Sequence, residues 1–345
     1  MGANCIGEVK AIPRILPSFP FLSRMNAMAE GKWIEGLTAA MPVSAAAHKV
    51  LSIRLAVVRH YLPLAVEQAE EDIEHVHQLR VSTRRAGAAL RVFRDVLPNR
   101  PRRQVRRLLR RLRRAAGQAR DWDVFLLNLP QARSLHTPSG RPAADFLLGY
   151  GLGQRHAAQL LLVQAAQQDG ADLNAAADEL LETLEQPRDN DEPPLRAFAL
   201  EQFHPLFTHF HQSVLADPEQ PAELHQVRIS GKRLRYALEI FIPCFPAWFQ
   251  QQLYPAVEEL QELLGTLQDA VVGSKRLKDL AAYLRRHFPP QWPRLRPGLD
   301  GRIRSLRAQI PALRKTFQKW RSRWLALAEE VHHVLPALTA SAART

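Results

Sequence analysis

The sequence predicts an all-α fold, and two observations carry that prediction. From Ser44 onward, apolar residues recur every three or four positions nearly throughout, and no segment shows the alternation typical of a strand. A basic segment of the first half also returns, in register, 148 residues later. An internal repeat of this kind indicates two copies of one helical unit. We therefore expect two small bundles of antiparallel helices that face each other across a pseudo-twofold axis.

The first repeat is expected over residues 44–186 and contains six predicted helices. Pro63 should bend the first helix, and the sequence PNRP should end the second, because proline cannot continue a helix. Residues 1–42 hold four prolines and no sustained period, so we expect a poorly ordered segment there. The six helices are predicted at 44–71, 72–97, 101–118, 121–129, 142–168 and 171–186.

Residues 187–194 have the composition of a linker, and the second half then repeats the helical pattern. Both repeats and a final basic helix are expected to form one unit, residues 43–333. The remaining segments are the second repeat at 195–287 with helices at 195–215, 219–243, 246–270 and 271–287, a proline-rich break at 289–298, the basic helix at 299–333, and a tail at 334–345.

The repeat is clearest in one helix of each copy. HQLRVSTRRAGAALRVFRDVLP (77–98) aligns without gaps to HQVRISGKRLRYALEIFIPCFP (225–246), with nine identical positions. The same offset carries Gly117 to Gly265 and Asp121 to Asp269, so the register holds beyond the helix. Two helices of one pattern should therefore meet at the pseudo-twofold axis.

The positive charge of the chain is local. The net charge is +13, and the segment between His77 and Arg133 alone holds sixteen arginines, no lysine and three acids. This segment therefore contains the whole excess, which implies an anionic partner bound at one place. No apolar run is long enough to span a bilayer, so no membrane insertion is expected. Two cysteines are too few for a disulfide framework, which favours a reducing, cytoplasmic interior.

A helix that starts at His77 separates a basic face from an apolar one. At 100° per residue, the apolar residues between Leu79 and Leu97 fall opposite the cations. At 1.5 Å per residue the basic stripe is about 21 Å long, which exceeds one phosphate and suits an extended polyanion. Arginine also offers paired planar donors to phosphate oxygens. The stripe consists of His77, Arg80, Arg84 and Arg91.

The second copy has a matching but weaker stripe. Glu239 stands where the first copy has Arg91, and acids replace several arginines of the helix predicted at 101–118. We therefore expect a basic groove that is formed mainly by the first half. The second stripe consists of His225, Arg228 and Lys232, flanked by Arg233 and Arg235; the arginines singled out at helical spacing within 101–118 are Arg103, Arg107, Arg110, Arg111 and Arg114, and the matching positions include Tyr254, Pro255, Glu258, Glu259 and Glu262.

The titratable residues of the stripes suggest a pH dependence. His77 and His225 should gain positive charge as an anion approaches, so binding is expected to tighten below about pH 7. Asp121, Asp123 and Asp269 lie in a basic neighbourhood, where we expect them to pair with arginines and orient them, or to cap a helix. We expect no catalytic residue and no metal site among these groups.

The doubled HQxRxSxxR helix resembles the CHAD domain, a family named for its histidines and its α-helical fold. RDWDV (120–124) closes the first copy and LGTLQDA (264–270) the second, and the resemblance covers roughly 44–330. It implies two four-helix bundles around a basic central channel that binds inorganic polyphosphate, often at polyphosphate granules. One departure, Gly231 in place of Thr83, is expected to loosen its turn. The matching positions are His77, Arg80, Arg84, Arg85, Arg120, His225, Arg228, Lys232, Arg233 and Arg235.

Two other functions stay open at this point. Nucleic acid offers the same phosphate charge, but stacking aromatics near the stripes are limited to Trp122 and Tyr236. The second alternative is an accessory subunit of an enzyme that processes polyphosphate or triphosphate. The chain contains no phosphate-binding loop, nucleophile elbow or HExxH motif, so we expect a protein without catalysis or cofactor. Its oligomeric state is left open.

Overall fold

A computed structural model of the chain describes residues 32–186 and 192–342. Its described residues are almost entirely helical, as the periodicity predicts, and none of these helices is both long and apolar enough to cross a membrane. The eight α-helices of these ranges are α1 (Val43–Glu67), α2 (Glu74–Val92), α3 (Asn99–Asn128), α4 (Arg141–Glu185), α5 (Leu195–Leu215), α6 (Pro221–Phe241), α7 (Tyr254–His287) and α8 (Trp292–Ala342).

The helices form two bundles of four. Each of α1 to α4 packs against its neighbours in sequence, and α1 closes the ring by packing against α4. Helices α5 to α8 repeat this arrangement, with α5 packed against α8. The two bundles meet where α2 packs against α6, the helices that carry the repeated motif, and where α4 reaches α8. The predicted pair of four-helix bundles is therefore confirmed, and the final basic helix is the fourth helix of the second bundle.

Three pairs of predicted segments turn out differently. The segments at 101–118 and 121–129 are the single helix α3, and those at 142–168 and 171–186 are the single helix α4. Gly170 does not end α4, because buried Leu162 and Leu173 on either side hold it against the core. In the second bundle, the predicted segments at 246–270 and 271–287 also differ from the structure. A π-helical turn at Phe249–Leu253 precedes α7, which then continues unbroken to His287.

The ends of the described ranges are more ordered than their composition suggests. In residues 32–42, Ile34 and Leu37 are buried in the main core. Next to the linker, the Glu192 carboxylate accepts a hydrogen bond from the Ser44 amide at 3.0 Å. Helix α8 starts at Trp292, inside the predicted break, and continues to Ala342, since buried tryptophans fix it on the bundle. Residues 1–31, 187–191 and 343–345 lie outside the described ranges.

Candidate anion-binding groove

The contact between α2 and α6 brings the two basic stripes together. Arg80 and Arg84 of α2 and Arg228 of α6 line one cleft of about 640 Å³ between the bundles. Helices α3, α7 and α8 supply its other walls, the last with Arg302. Lys232 lies close enough to these arginines that their charges act on its amine. The two repeats thus converge on a common groove, which we call the axial groove.

The repeated glycines and aspartates position the central arginines. A Cβ on Gly117 would lie 3.6 Å from Arg80 Nε, and a Cβ on Gly265 would lie 3.7 Å from Arg228 Nη2, so each guanidinium lies over a glycine of the next helix. Asp121 Oδ1 is 3.3 Å from Arg80 Nη1.

Asp269 acts on Arg228 in the matching place of the second copy. Burial raises the pKa of Asp269. The charge of Asp121 raises it further, whereas the charge of Arg228 lowers it. Asp123 is buried and binds Arg155 of α4. Asp121 and Asp123 thus pair with arginines as expected, and Asp269 acts on Arg228 through its charge.

The serines of the repeated motif support the helix and do not reach the groove. Ser82 Oγ donates to the Leu79 carbonyl at 3.0 Å, and Ser230 Oγ donates to the Val227 carbonyl at 3.0 Å. Both serines are buried. The motif therefore divides into cations that face the groove and hydroxyls that satisfy backbone oxygens inside the bundle.

Arg85 lies away from the axial groove, contrary to the resemblance. It is buried, and its Nε donates to Glu239 Oε2 at 3.1 Å. Arg54 Nη1 donates to the Arg85 carbonyl at 2.9 Å, and the Tyr254 hydroxyl donates to Glu239 Oε1 at 3.1 Å. Glu239, which the sequence treats as a weakened anion site, is thus the centre of a buried polar network that joins the bundles.

Four of the arginines expected in the groove lie elsewhere on α3. Arg111 Nε is 2.8 Å from Asp169 Oδ2 of α4, and Arg107 and Arg114 share its helix face. Arg103 lies beside Arg94 and Asp95 at the start of the helix. The prediction is therefore wrong about the helix face of Arg103, Arg107, Arg111 and Arg114.

Arg106 and Arg113 lie instead on the face of α3 whose charges act on Arg91 of α2, although the sequence interpretation missed them. The charge of Arg113 acts on Arg91, and the charge of Arg84 acts on Arg113. A signal was present, because positions 106, 110 and 113 share a helix face with the repeated Gly117. We call the surface formed by these cations the first half-groove; it consists of Arg91, Arg106, Arg110, Arg113 and Arg233.

The remaining predicted residues divide into two groups. Arg120 is close to His77 and Arg80, at the edge of the axial groove. His225 lines a small pocket beside Arg228, under α8. Arg235 forms the second group: it lies beside the first turns of α7, where its Nη1 is 3.3 Å from Glu258 Oε1.

The expected pH dependence moves from histidine to lysine. Burial, together with Arg120 and Arg84, lowers the pKa of His77 to about 4, so His77 is neutral near pH 7. Burial, together with Arg84 and Arg228, lowers the pKa of Lys232 to about 6. Of these two groups, Lys232 has the pKa closer to neutrality, and the expectation for His77 is corrected.

Gly231 allows close packing and does not loosen its turn. A Cβ at this position would lie 2.6 Å from Gln261 Nε2 and 3.0 Å from Cε2 of the buried Phe210 ring. We expect Gly231→Thr, which installs the first-copy residue, to lower the free energy of unfolding by about 1–3 kcal/mol through overpacking. Urea denaturation measures this loss.

Gly87 supplies the control, because a Cβ added there would have no other atom within 4 Å. Gly87→Ala should stabilise α2 by about 0.5–1 kcal/mol, as alanine is the better helix former. Equal effects of the two substitutions would contradict the packing role of Gly231.

Comparison with known families identifies the fold. The sequence model of the CHAD domain matches residues 49–278, about two thirds of the chain. The chain belongs to the CHAD domain family. His77 and His225, which begin the repeated motif, both lie within the matched residues.

Solved structures agree with this assignment. The CHAD domain from the plant Ricinus communis has 24% sequence identity and a TM-score of 0.66, covering 84% of this chain and 95% of that one. PptA from Streptomyces chartreusis has 18% identity and a TM-score of 0.61, covering 81% of this chain and 99% of that one. At these identities both likenesses bear on the fold. No curated protein matches the sequence.

Proposed function

We propose that this CHAD domain binds inorganic polyphosphate and catalyses no reaction. The observation that supports this most is the convergence of Arg80, Arg84 and Arg228 on one cleft between the repeats. Burial lowers the pKa of Arg80 to about 10, and repulsion from Arg84 adds to this effect despite the nearby Asp121. A polyanion turns that repulsion into attraction and releases its counterions. Polyphosphate binding is a known property of the family.

The aromatic residues near the groove favour polyphosphate over nucleic acid. Nonspecific single-strand binders need exposed rings on which bases stack. The Trp122 ring is covered by the Arg276 guanidinium at 4.5 Å and packs against Phe125 and Tyr150. Tyr236 is buried. Trp122 and Tyr236, the two rings expected near the stripes, thus offer no open face to a base, which suits an anion that has none.

Competition tests the choice of ligand. Labelled polyphosphate bound to the protein should be displaced by unlabelled polyphosphate at a far lower phosphate concentration than by single- or double-stranded DNA. We expect at least a tenfold difference at moderate salt. Equal displacement by DNA at matched phosphate concentration would favour nucleic acid as the ligand.

The absence of catalysis is tested separately. Purified protein incubated with polyphosphate and Mg²⁺ or Mn²⁺ should release no phosphate above the protein-free control. Release that disappears in an Asp121→Asn/Asp269→Asn variant would instead indicate a hydrolase.

A protein that only binds the polymer would be retained on polyphosphate granules in the cytoplasm.

Binding should be accompanied by proton uptake at Lys232. With a pKa of about 6, its amine is mostly neutral near pH 7.5 in the free protein. A bound polyanion stabilises the ammonium form and raises this pKa. Because the bound state then holds more protons, affinity should rise as the pH falls toward 6 and level off below it. His77 would add to this only near pH 4.

Calorimetry in buffers of different ionisation enthalpy measures this uptake. We expect up to about one proton per site near pH 7.5 for the wild type. Lys232→Arg should abolish the uptake, since arginine is charged in both states. Undiminished uptake in Lys232→Arg would assign the proton to another group.

A further inference from the structure

The pseudo-twofold axis relates the first half-groove to a second surface with different chemistry. At an offset of 148 residues, each member of the first half-groove has a counterpart around the start of α7 and in the repeated helices. We call this surface the second half-groove. Its members are Glu239, Tyr254, Glu258, Gln261 and Arg85, which correspond to Arg91, Arg106, Arg110, Arg113 and Arg233.

Cations of the same chain already neutralise the second half-groove. The Glu239 side chain is fully buried and lies 3.1 Å from Arg85 Nε and 3.5 Å from Arg54 Nη2. Glu258 Oε1 lies 3.3 Å from Arg235 Nη1. The counterpart of an arginine cluster is thus a set of intramolecular ion pairs.

The segment before α1 covers this surface. Lys32 Nζ lies 3.1 Å from Glu258 Oε1 and 4.7 Å from the centre of the Tyr254 ring. The Trp33 ring packs on the same tyrosine with 4.9 Å between ring centres. Glu258 therefore holds two cations, Lys32 of the segment before α1 and Arg235 of α6.

The electrostatics of the two half-grooves have opposite signs. The charges of Arg106, Arg113 and Arg233 all act on Arg91 and, with burial, lower its pKa. Burial also acts to lower the pKa of Arg235, but Tyr236, Glu239 and Tyr254 raise this pKa by more than burial lowers it. An additional anion is thus favoured in the first half-groove and is opposed by fixed carboxylates in the second.

We propose that polyphosphate runs from the axial groove into the first half-groove only, and that Glu258, with Lys32 seated on it, ends the polymer track in the second bundle. Glu258 is then a residue that determines specificity for chain length. This inference rests on the proposed function and adds a direction to it. The affinity of the wild type should rise with chain length until the axial groove and the first half-groove are filled, and then stop rising.

Opening the second half-groove tests this inference. Glu258→Gln releases Lys32 and Arg235, so affinity for long chains should increase about fivefold while affinity for short chains stays unchanged. The control is Glu179→Gln, which makes the same charge change at an exposed position of α4 and should leave every affinity unchanged. Binding is measured with size-fractionated inorganic polyphosphate, and circular dichroism checks that each variant is folded.

The outcomes separate the two proposals. A wild type that binds no chain length would overturn both. A wild type that binds while Glu258→Gln changes nothing, or raises affinity for short and long chains equally, would overturn the asymmetric track alone.

A second comparison does not depend on the folding of Glu258→Gln. Two double variants each remove two positive charges. The first is Arg106→Gln/Arg113→Gln, and the second is Lys32→Gln/Arg323→Gln, whose side chains pair with Glu258 and Glu259. The first pair should weaken binding of long chains at least tenfold, and the second less than threefold. Equal losses would show that both half-grooves, or only the net charge, contribute.

Discussion

Replacing Arg80, Arg84 and Arg228 together by glutamine should lower the affinity for long polyphosphate roughly a thousandfold at moderate salt. These side chains come from both repeats and line the same cleft. A hydrogen bond to a charged group contributes about 1.5 kcal/mol or more, so three of them account for about three decades in the dissociation constant. Fluorescence anisotropy or calorimetry measures the change.

A charge-matched variant separates the site from the net charge. Arg103→Gln/Arg107→Gln/Arg114→Gln removes the same three charges from outward positions of α3, where the side chains are exposed. We expect less than a tenfold loss, which reflects only the weaker long-range attraction. Similar losses in the two triple variants would indicate a diffuse basic surface and would remove the argument for a groove.

Replacing Glu239 by glutamine should produce the largest loss of stability, about 3–5 kcal/mol in the free energy of unfolding. The Glu239 side chain has no solvent exposure, and its carboxylate offsets the charge of Arg54, which is itself 1% exposed. Burial already lowers the pKa of Arg54 to about 10. Without the carboxylate, that guanidinium is left as an uncompensated charge at the junction of the bundles.

Urea denaturation measures this effect against a surface control. Asp145→Asn breaks an exposed pair with Arg141 on α4, and such pairs contribute at most about 1 kcal/mol. A loss below about 1 kcal/mol for Glu239→Gln would contradict the role of Glu239 in joining the bundles. Under conditions where Glu239→Gln is folded, it should still bind polyphosphate, since Glu239 does not line the axial groove.

The repeat explains why so much of this site could be predicted from sequence. The offset of 148 residues aligns not only the cations but also Gly117 with Gly265 and Asp121 with Asp269. The glycines proved to lie beneath the central arginines, Asp121 contacts Arg80, and the charge of Asp269 acts on Arg228. A pattern that occurs twice in one chain marks the positions that both halves need.

Errors arose where one helix face had to be chosen from a continuous run of arginine. In α3, residues 102–114 hold cations on nearly every side, so periodicity alone does not distinguish Arg106 from Arg107. The choice depends on which face meets α4, and Asp169 supplies that information only in the folded structure. Arg85 was misplaced for a related reason, because its partner Glu239 lies 154 positions away.

The most direct test of polyphosphate binding is a calorimetric titration of the wild-type protein with long-chain polyphosphate at about 0.15 M salt, with circular dichroism to show that the protein is folded. The structure predicts saturable binding with a defined stoichiometry, tightening as the pH falls from about 8 toward 6 in line with the pKa of Lys232. A folded, helical protein that shows no saturable binding under these conditions would contradict the proposed function.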